Sequence, residues 1–247
     1  MRRPLALAAL LVVCAAAVLV YQSTRPQASG ADARVFVPSP RFYLDLSPSF
    51  RTSIADAYWL QTIQYYGEHL RSDGRFDSLW PMLDLVTTLS PRFKQAYFTG
   101  AFALIDAARP DLSYGLLRRG FEANPADWHF PAYLGFFAYR FANNKDKDRI
   151  AARWYAKAAA LPGRPAYIPR LAAALLTRSG ARDKAIAMWS GVYAEGDKYS
   201  REKAVKALSR LLATDPQQRA KELASVQTMM SPEVFFQLLE DLGVGSV

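Results

Sequence analysis

The chain has 247 residues, of which 51% are hydrophobic and 21% are charged, so its composition is that of a globular protein and excludes a largely disordered chain. Its formal net charge is +9. A single cysteine excludes an intramolecular disulfide and any multi-cysteine metal site, and two histidines leave little for histidine-based metal chemistry. We therefore expect no cofactor.

The N-terminus combines a short basic segment with an uncharged apolar run over residues 5–21. As a helix, this run would be about 26 Å long, just enough to cross a bilayer core. It is at or beyond the usual length of the apolar part of a cleaved signal peptide, so it favours an uncleaved signal anchor, with a signal peptide as the alternative. Arg2 and Arg3 would remain inside. This interpretation predicts a single-pass protein of the bacterial inner membrane whose C-terminal domain is periplasmic.

Residues 22–50 are predicted to be a tether, because this polar stretch contains four prolines. From about residue 54 onwards, nearly every apolar run has helical spacing. The rest of the chain is therefore predicted to be all-α.

A repeat is visible within the helical region. Pro91 and Pro125 are 34 residues apart, and each stands between two apolar helical runs. Gly67, Ala101 and Gly135 recur with the same interval. The period indicates paired helices, with a small residue where the two backbones of a pair approach each other closely.

Two further glycines are placed where the helices of a pair are expected to be joined. Gly74 and Gly180 each follow a predicted first helix, and a glycine there accepts the left-handed conformation that ends a helix. Both glycines therefore predict tight turns.

This pattern resembles the tetratricopeptide repeat, a helix–turn–helix unit of 34 residues. The resemblance covers about residues 57–194 and implies a right-handed helical-repeat solenoid. Residues 54–67 are also similar to the start of uncharacterised bacterial membrane-anchored repeat proteins, which supports the anchor. The positions that match the repeat are Gly67, Gly74, Phe76, Leu83, Pro91, Tyr97, Ala101, Pro125, Leu134, Gly135, Pro162, Ala173, Gly180, Ala185 and Trp189.

The sequence thus divides into an anchor over residues 1–21, a tether over 22–50, tetratricopeptide-like repeats over 51–195 and a C-terminal helical cap over 196–247. A solenoid needs a terminal cap with a polar outer face. We expect three cap helices, over residues 201–213, 217–229 and 232–242.

The resemblance also implies a binding surface, because the first helices of such repeats line the inner face of the solenoid. This groove would change from polar to aromatic to basic along the chain, which suits an extended peptide with apolar anchors and an acidic end. In the alternative interpretation, Phe98, Phe102 and Phe136 pack under neighbouring helices or under a docked terminal helix. The residues expected to bind a partner are Gln64, Arg71, Gln95, Phe98, Phe102, Phe136, Tyr139, Tyr167, Arg170 and Arg178.

The sequence contains no phosphate-binding loop and no HExxH zinc motif, so it favours a non-enzymatic function. The leading hypothesis is an adaptor that holds a protein partner at the outer face of the inner membrane as part of an envelope assembly. The alternative is a module whose aromatic groove binds a glycan or a lipid-linked polymer. Residues 151–200 carry eight basic and three acidic residues. Nucleic acid is nevertheless not expected as a partner, because the predicted location is extracytoplasmic.

Overall fold

The computed structural model describes residues 13, 16, 20, 36–46, 48–141 and 146–244. The regular structure of these residues is entirely helical. Between residues 36 and 244, the described chain forms twelve α-helices and one short 3-10 helix, which spans Pro48–Phe50. The α-helices are α1 (Pro40–Leu46), α2 (Arg51–Arg71), α3 (Leu79–Leu89), α4 (Lys94–Asp106), α5 (Pro110–Ala123), α6 (His129–Phe141), α7 (Lys147–Ala159), α8 (Tyr167–Arg178), α9 (Arg182–Glu195), α10 (Lys198–Leu211), α11 (Pro216–Gln227) and α12 (Pro232–Asp241).

The helices form a repeat-like succession of hairpins, α2–α3, α4–α5, α6–α7 and α8–α9. Each hairpin also packs on the next one, through the contacts α3–α4, α5–α6, α7–α8 and α9–α10. Most helix packing is therefore between neighbours in the chain, as in a solenoid.

The core continues through the hairpins. In the N-terminal half, the fully buried rings of Tyr97 and Phe130 pack edge to face, with centroids 5.7 Å apart. In the C-terminal half, Trp189 and Tyr193 are buried together with residues of α12. Buried aromatic rings bring a large apolar area into the core and prefer this tilted geometry.

Residues 40–46 and 48–50 of the predicted tether are helical, and α1 packs on the helical body. Tyr43 and Leu44 are partly buried against a small cluster formed by Ala55, Leu85 and Leu89. The Tyr43 and Tyr58 hydroxyl groups lie 3.1 Å apart. This part of the chain is thus held to α2 and α3 by apolar contacts and a hydrogen bond.

The predicted turn glycines are confirmed. Gly74 and Gly180 have φ angles of +66° and +74°, the left-handed region that glycine adopts without steric cost. Both end the first helix of a hairpin.

Close packing against the paired helix is found at only one of the two glycines, and there the neighbour is a side chain. A Cβ at Gly135 would lie 2.7 Å from the ring of Tyr155 on the paired helix. At Gly67 the prediction is wrong, because no atom lies within 4 Å of the Cβ position. Ala101, the third member of the series, is fully buried.

The prediction of a transmembrane anchor, and with it the single-pass inner-membrane localisation, is contradicted by the helices of the structure. Among the described residues, no helix is both long and apolar enough to cross a membrane. The 21-residue α2 is long enough, but Arg51, Asp56, Glu68 and Arg71 make it too polar. Residues 5–21, on which the anchor prediction rests, lie largely outside the described residues. The part of the chain that the structure describes is therefore all-α.

Candidate functional site

Four aromatic side chains of α4 and α6 form a continuous row, which we call the aromatic row: Phe98, Phe102, Tyr133 and Phe136. The centroid of Tyr133 lies 5.0 Å from that of Phe98 and 5.8 Å from that of Phe102. Phe102 in turn lies 6.5 Å from Phe136. The first helices of two successive hairpins thus present one shared apolar strip.

The aromatic row is only partly covered. Phe98 is half-buried and packs on Phe130 with a centroid separation of 4.6 Å. Phe102 and Phe136 remain 42% and 38% exposed, so they do not pack fully under neighbouring helices as the alternative interpretation expected. Large apolar side chains exposed side by side are a common feature of binding surfaces.

One turn beyond the row, the ring of Tyr139 lies close to two cations. Arg178 donates a hydrogen bond from Nη1 to the Tyr139 hydroxyl at 3.1 Å, and its Cζ lies 5.4 Å from the ring centroid. Lys147 Nζ lies 5.7 Å from the same ring. Arg178 also pairs with Asp148 at 3.1 Å. The hydrogen bond with Tyr139 and the charge of Asp148 raise the pKa of the Arg178 guanidinium, which keeps its charge fixed at this position.

Arg178 belongs to a stripe on α8 that leads to a small cavity, which we call the terminal pocket. Arg170 lies with its Cζ 4.9 Å from the ring centroid of Tyr199 on α10, and Lys203 Nζ lies 5.3 Å from the same ring. Arg170 Nη1 also donates to Ser200 Oγ at 2.9 Å. The pocket therefore combines aromatic walls with two cations. Its volume is about 310 Å³, and its lining is Tyr167, Arg170, Leu171, Ala174, Trp189, Tyr199 and Lys203.

The predicted polar end of the groove is not joined to the aromatic row. Gln64 and Arg71 are exposed on α2, and none of the hydrogen bonds or ion pairs between described residues connects them to the row. Gln95 is exposed and donates to Thr99 Oγ1 at 2.9 Å on its own helix. The structure thus joins Tyr139 and Arg178 of the predicted set by a hydrogen bond and places Gln95 one turn before Phe98 on α4, whereas Gln64 and Arg71 lie on α2.

Tyr66, which is not among the predicted residues, makes a hydrogen bond between α2 and α4. Its hydroxyl donates to Asp106 Oδ2 at 2.5 Å. Burial, followed by this hydrogen bond, raises the pKa of Tyr66 to about 12, so the phenol stays protonated and the bond persists at neutral pH. This contact fixes the position of α2 relative to the C-terminal end of α4.

Several residues of the surface are missing from the sequence prediction, among them Tyr133, Tyr199 and Lys203. Tyr133 lies one turn before Phe136 on α6, and this spacing is the signal that could have revealed it. Tyr199 and Lys203 lie on α10, within the predicted cap, and no repeat signal marks them. The terminal pocket therefore crosses the boundary predicted after residue 195.

Comparison with models of known protein families and with curated proteins finds no match for this chain. The tetratricopeptide resemblance therefore stays a prediction.

Proposed function

We propose that this protein is a non-enzymatic adaptor that binds an extended peptide segment of a protein partner. Apolar side chains of the peptide would contact the aromatic row, and acidic groups would contact the cations that follow it. One observation carries the proposal: partly exposed aromatic side chains of successive hairpins form a single row that leads towards a cation-lined pocket.

The aromatic row supplies the apolar contacts. A peptide side chain that covers Phe102 and Phe136 would remove both rings from water without requiring the helices to move. Aromatic residues in such positions often dominate binding, and truncating one commonly costs about 2 kcal/mol or more.

The cations supply polarity and direction. Arg178 shares its charge with Asp148, whereas Arg170 donates to the uncharged hydroxyl of Ser200 and has the carboxylate of Asp197 as a nearby opposite charge. The lining of the terminal pocket itself carries the two cations Arg170 and Lys203 and, among the described residues, no acidic side chain. A carboxylate bound there would form charge-assisted hydrogen bonds, which fix the orientation of a ligand.

The geometry of the row favours a peptide over the glycan alternative. Stacking of a sugar requires a free, flat aromatic face, but Phe102 meets Tyr133 edge to face and Phe136 at a tilt of 46°. The rings thus form a ridged apolar surface, which suits branched peptide side chains better than flat sugar rings.

The proposal is tested by selecting peptides from a random library on the immobilised protein and measuring their affinity for two matched variants. Phe102→Asp places a charge in the aromatic row, whereas Phe236→Asp makes the same change at an exposed position on α12 that is 66% accessible. We expect Phe102→Asp to weaken binding at least tenfold, about 1.4 kcal/mol, and Phe236→Asp to leave it unchanged. Equal effects, or selected peptides without apolar residues, would contradict the proposal.

A further inference from the structure

A second cavity, which we call the outer cavity, lies between the second helices of the third and fourth hairpins. Its volume is about 740 Å³, and it is lined mainly by α7 and α9. Its apolar surface includes Ala156 on α7, Ala160 directly after α7, and Met188, Gly191 and Val192 on α9. The aromatic row, by contrast, is formed by α4 and α6, so the two sites share no residue.

The charges around the outer cavity are unbalanced. Glu195 is the acidic residue of the lining, and Arg164 neutralises it through an ion pair of 2.9 Å. Arg153 and Lys184 also line the cavity, and neither forms an ion pair within the described part of the chain. Lys157 lies beside them, with its Nζ 4.5 Å from the Trp154 ring centroid.

We propose that the outer cavity binds an amphiphilic anion, with an alkyl chain in the apolar cleft and a carboxylate or phosphate group at Arg153 and Lys184. Arg153, Lys157 and Lys184 line the same cavity as the apolar residues, so the lining matches both parts of such a molecule. The volume lies within the range of about 300–1,000 Å³ that is usual for small-molecule sites. The small side chains of Ala156, Ala160 and Gly191 leave room for an unbranched chain between the helices.

Gly191 offers a way to fill the cavity without disturbing the fold. No atom lies within 4 Å of the position that its Cβ would occupy, and the residue is in the middle of α9. Leucine is a better helix former than glycine, so Gly191→Leu is expected to fold at least as well as the wild type. Gly115→Leu is the matched control, because Gly115 is also helical and free of neighbours within 4 Å but does not line the cavity.

The experiment uses three probes with the same tail: laurate, dodecyl phosphate and dodecanol. The two anions are titrated below their critical micelle concentrations and dodecanol below its solubility limit, each into the full-length wild type and the variants, and binding is measured by calorimetry. We expect saturable binding of laurate, dodecyl phosphate or both, and at least tenfold weaker binding of dodecanol. Whichever anion binds more tightly indicates whether the natural ligand carries a carboxylate or a phosphate.

The variants separate the cavity from general surface binding. Gly191→Leu should weaken anion binding at least tenfold, and Gly115→Leu should not change it. Replacing Arg153 and Lys184 together by Gln should lower the affinity for both anions about tenfold and leave the affinity for dodecanol unchanged. Phe102→Asp should leave anion binding unchanged. A failure of this inference can therefore be distinguished from a failure of the proposed peptide function.

Several results would overturn the inference. They are the absence of saturable binding of either anion, equal binding of dodecanol, and anion binding that is unaffected by Gly191→Leu. Binding of an acidic amphipathic helix that Gly191→Leu abolishes, without binding of the anions, would assign the cavity to a protein partner and also overturn it.

Discussion

Two glycines of α5 show how closely single residues are constrained by their position on a helix. Gly115 is exposed, and no atom lies within 4 Å of its Cβ position. At Gly120, an added Cβ would run into the ring of Phe130 and lie 2.9 Å from the ring of Tyr97. Both rings are fully buried, so neither can move aside without disturbing the core.

We expect alanine at these two positions to change stability in opposite directions. Gly120→Ala should destabilise the protein by about 1–3 kcal/mol, because the methyl group overpacks the core. Gly115→Ala should stabilise it by about 0.5–1 kcal/mol, because alanine is the better helix former. Urea unfolding at equilibrium measures both changes. Stabilisation by Gly120→Ala would show that α5 and α6 are further apart than the structure places them.

The sequence predicts individual residues of the site well where helical spacing is regular, and less well elsewhere. Phe98, Phe102 and Phe136 lie on the expected face, but Tyr133 is absent from the prediction although it contacts both α4 residues. Gly67 recurs at the correct interval, yet its Cβ position faces open space. A recurring small residue identifies the repeat, whereas the face that meets a neighbour depends on how each helix is rotated in the packed structure.

At the level of elements, one carboxylate joins α11 to α9, in addition to the core packing of Val226 on α11. Arg182 donates to Glu222 through both terminal nitrogens, at 2.6 and 3.0 Å, and the backbone N–H of Ala213 donates to the same carboxylate at 2.9 Å. Only 9% of the Glu222 side chain is exposed. These bonds, led by that of Arg182, lower the pKa of Glu222 to about 2.

Because the pKa of Glu222 is lower in the folded state, its contribution to stability is present above its unfolded pKa, about 4.3. The contribution is lost as the pH falls through that value towards about 2. We expect Glu222→Gln to lower the free energy of unfolding by about 1–2 kcal/mol at neutral pH. The difference from the wild type should shrink as the pH falls below about 4. Denaturant unfolding at several pH values tests this, and a difference that does not depend on pH would contradict it.

The last helix, α12, is attached by apolar packing and a hydrogen bond to α9. Leu238 is fully buried, and the Tyr193 hydroxyl donates to Asp241 Oδ2 at 2.6 Å. We expect Leu238→Ala to destabilise the protein by about 2–4 kcal/mol, because it leaves a cavity. Phe236→Ala, at a residue that is 66% exposed, should cost much less. If thermal unfolding shows that both substitutions lower the stability equally, α12 is not packed as described.

Helix boundaries in the C-terminal region are predictable because the start signals are local. The helices expected to start at residues 201, 217 and 232 begin at Lys198, Pro216 and Pro232. The Asp215 side chain accepts a hydrogen bond from Gln218 N and thereby caps α11. The position of α1 on α3 depends instead on distant apolar contacts, which no local signal in the tether reveals.

At the scale of the whole molecule, each proposed binding surface is assembled from more than one hairpin or terminal helix. The aromatic row needs α4 and α6, and the terminal pocket needs α8 and α10. The repeat period and the resemblance predict those parts of the two surfaces that lie on the first helices of the hairpins. They do not predict the contribution of α10, because the repeat pattern ends before Tyr199 and Lys203.

The central claim is that the groove binds a peptide whose acidic end lies in the terminal pocket. A double-mutant cycle tests it most directly, with a selected peptide in acidic and neutralised forms, and with the wild type and Arg170→Gln. The account predicts a coupling of about 1–3 kcal/mol between Arg170 and the acidic group, because a charge-assisted pair forms only when both partners are present. Additive effects, with a coupling indistinguishable from zero, would contradict the account.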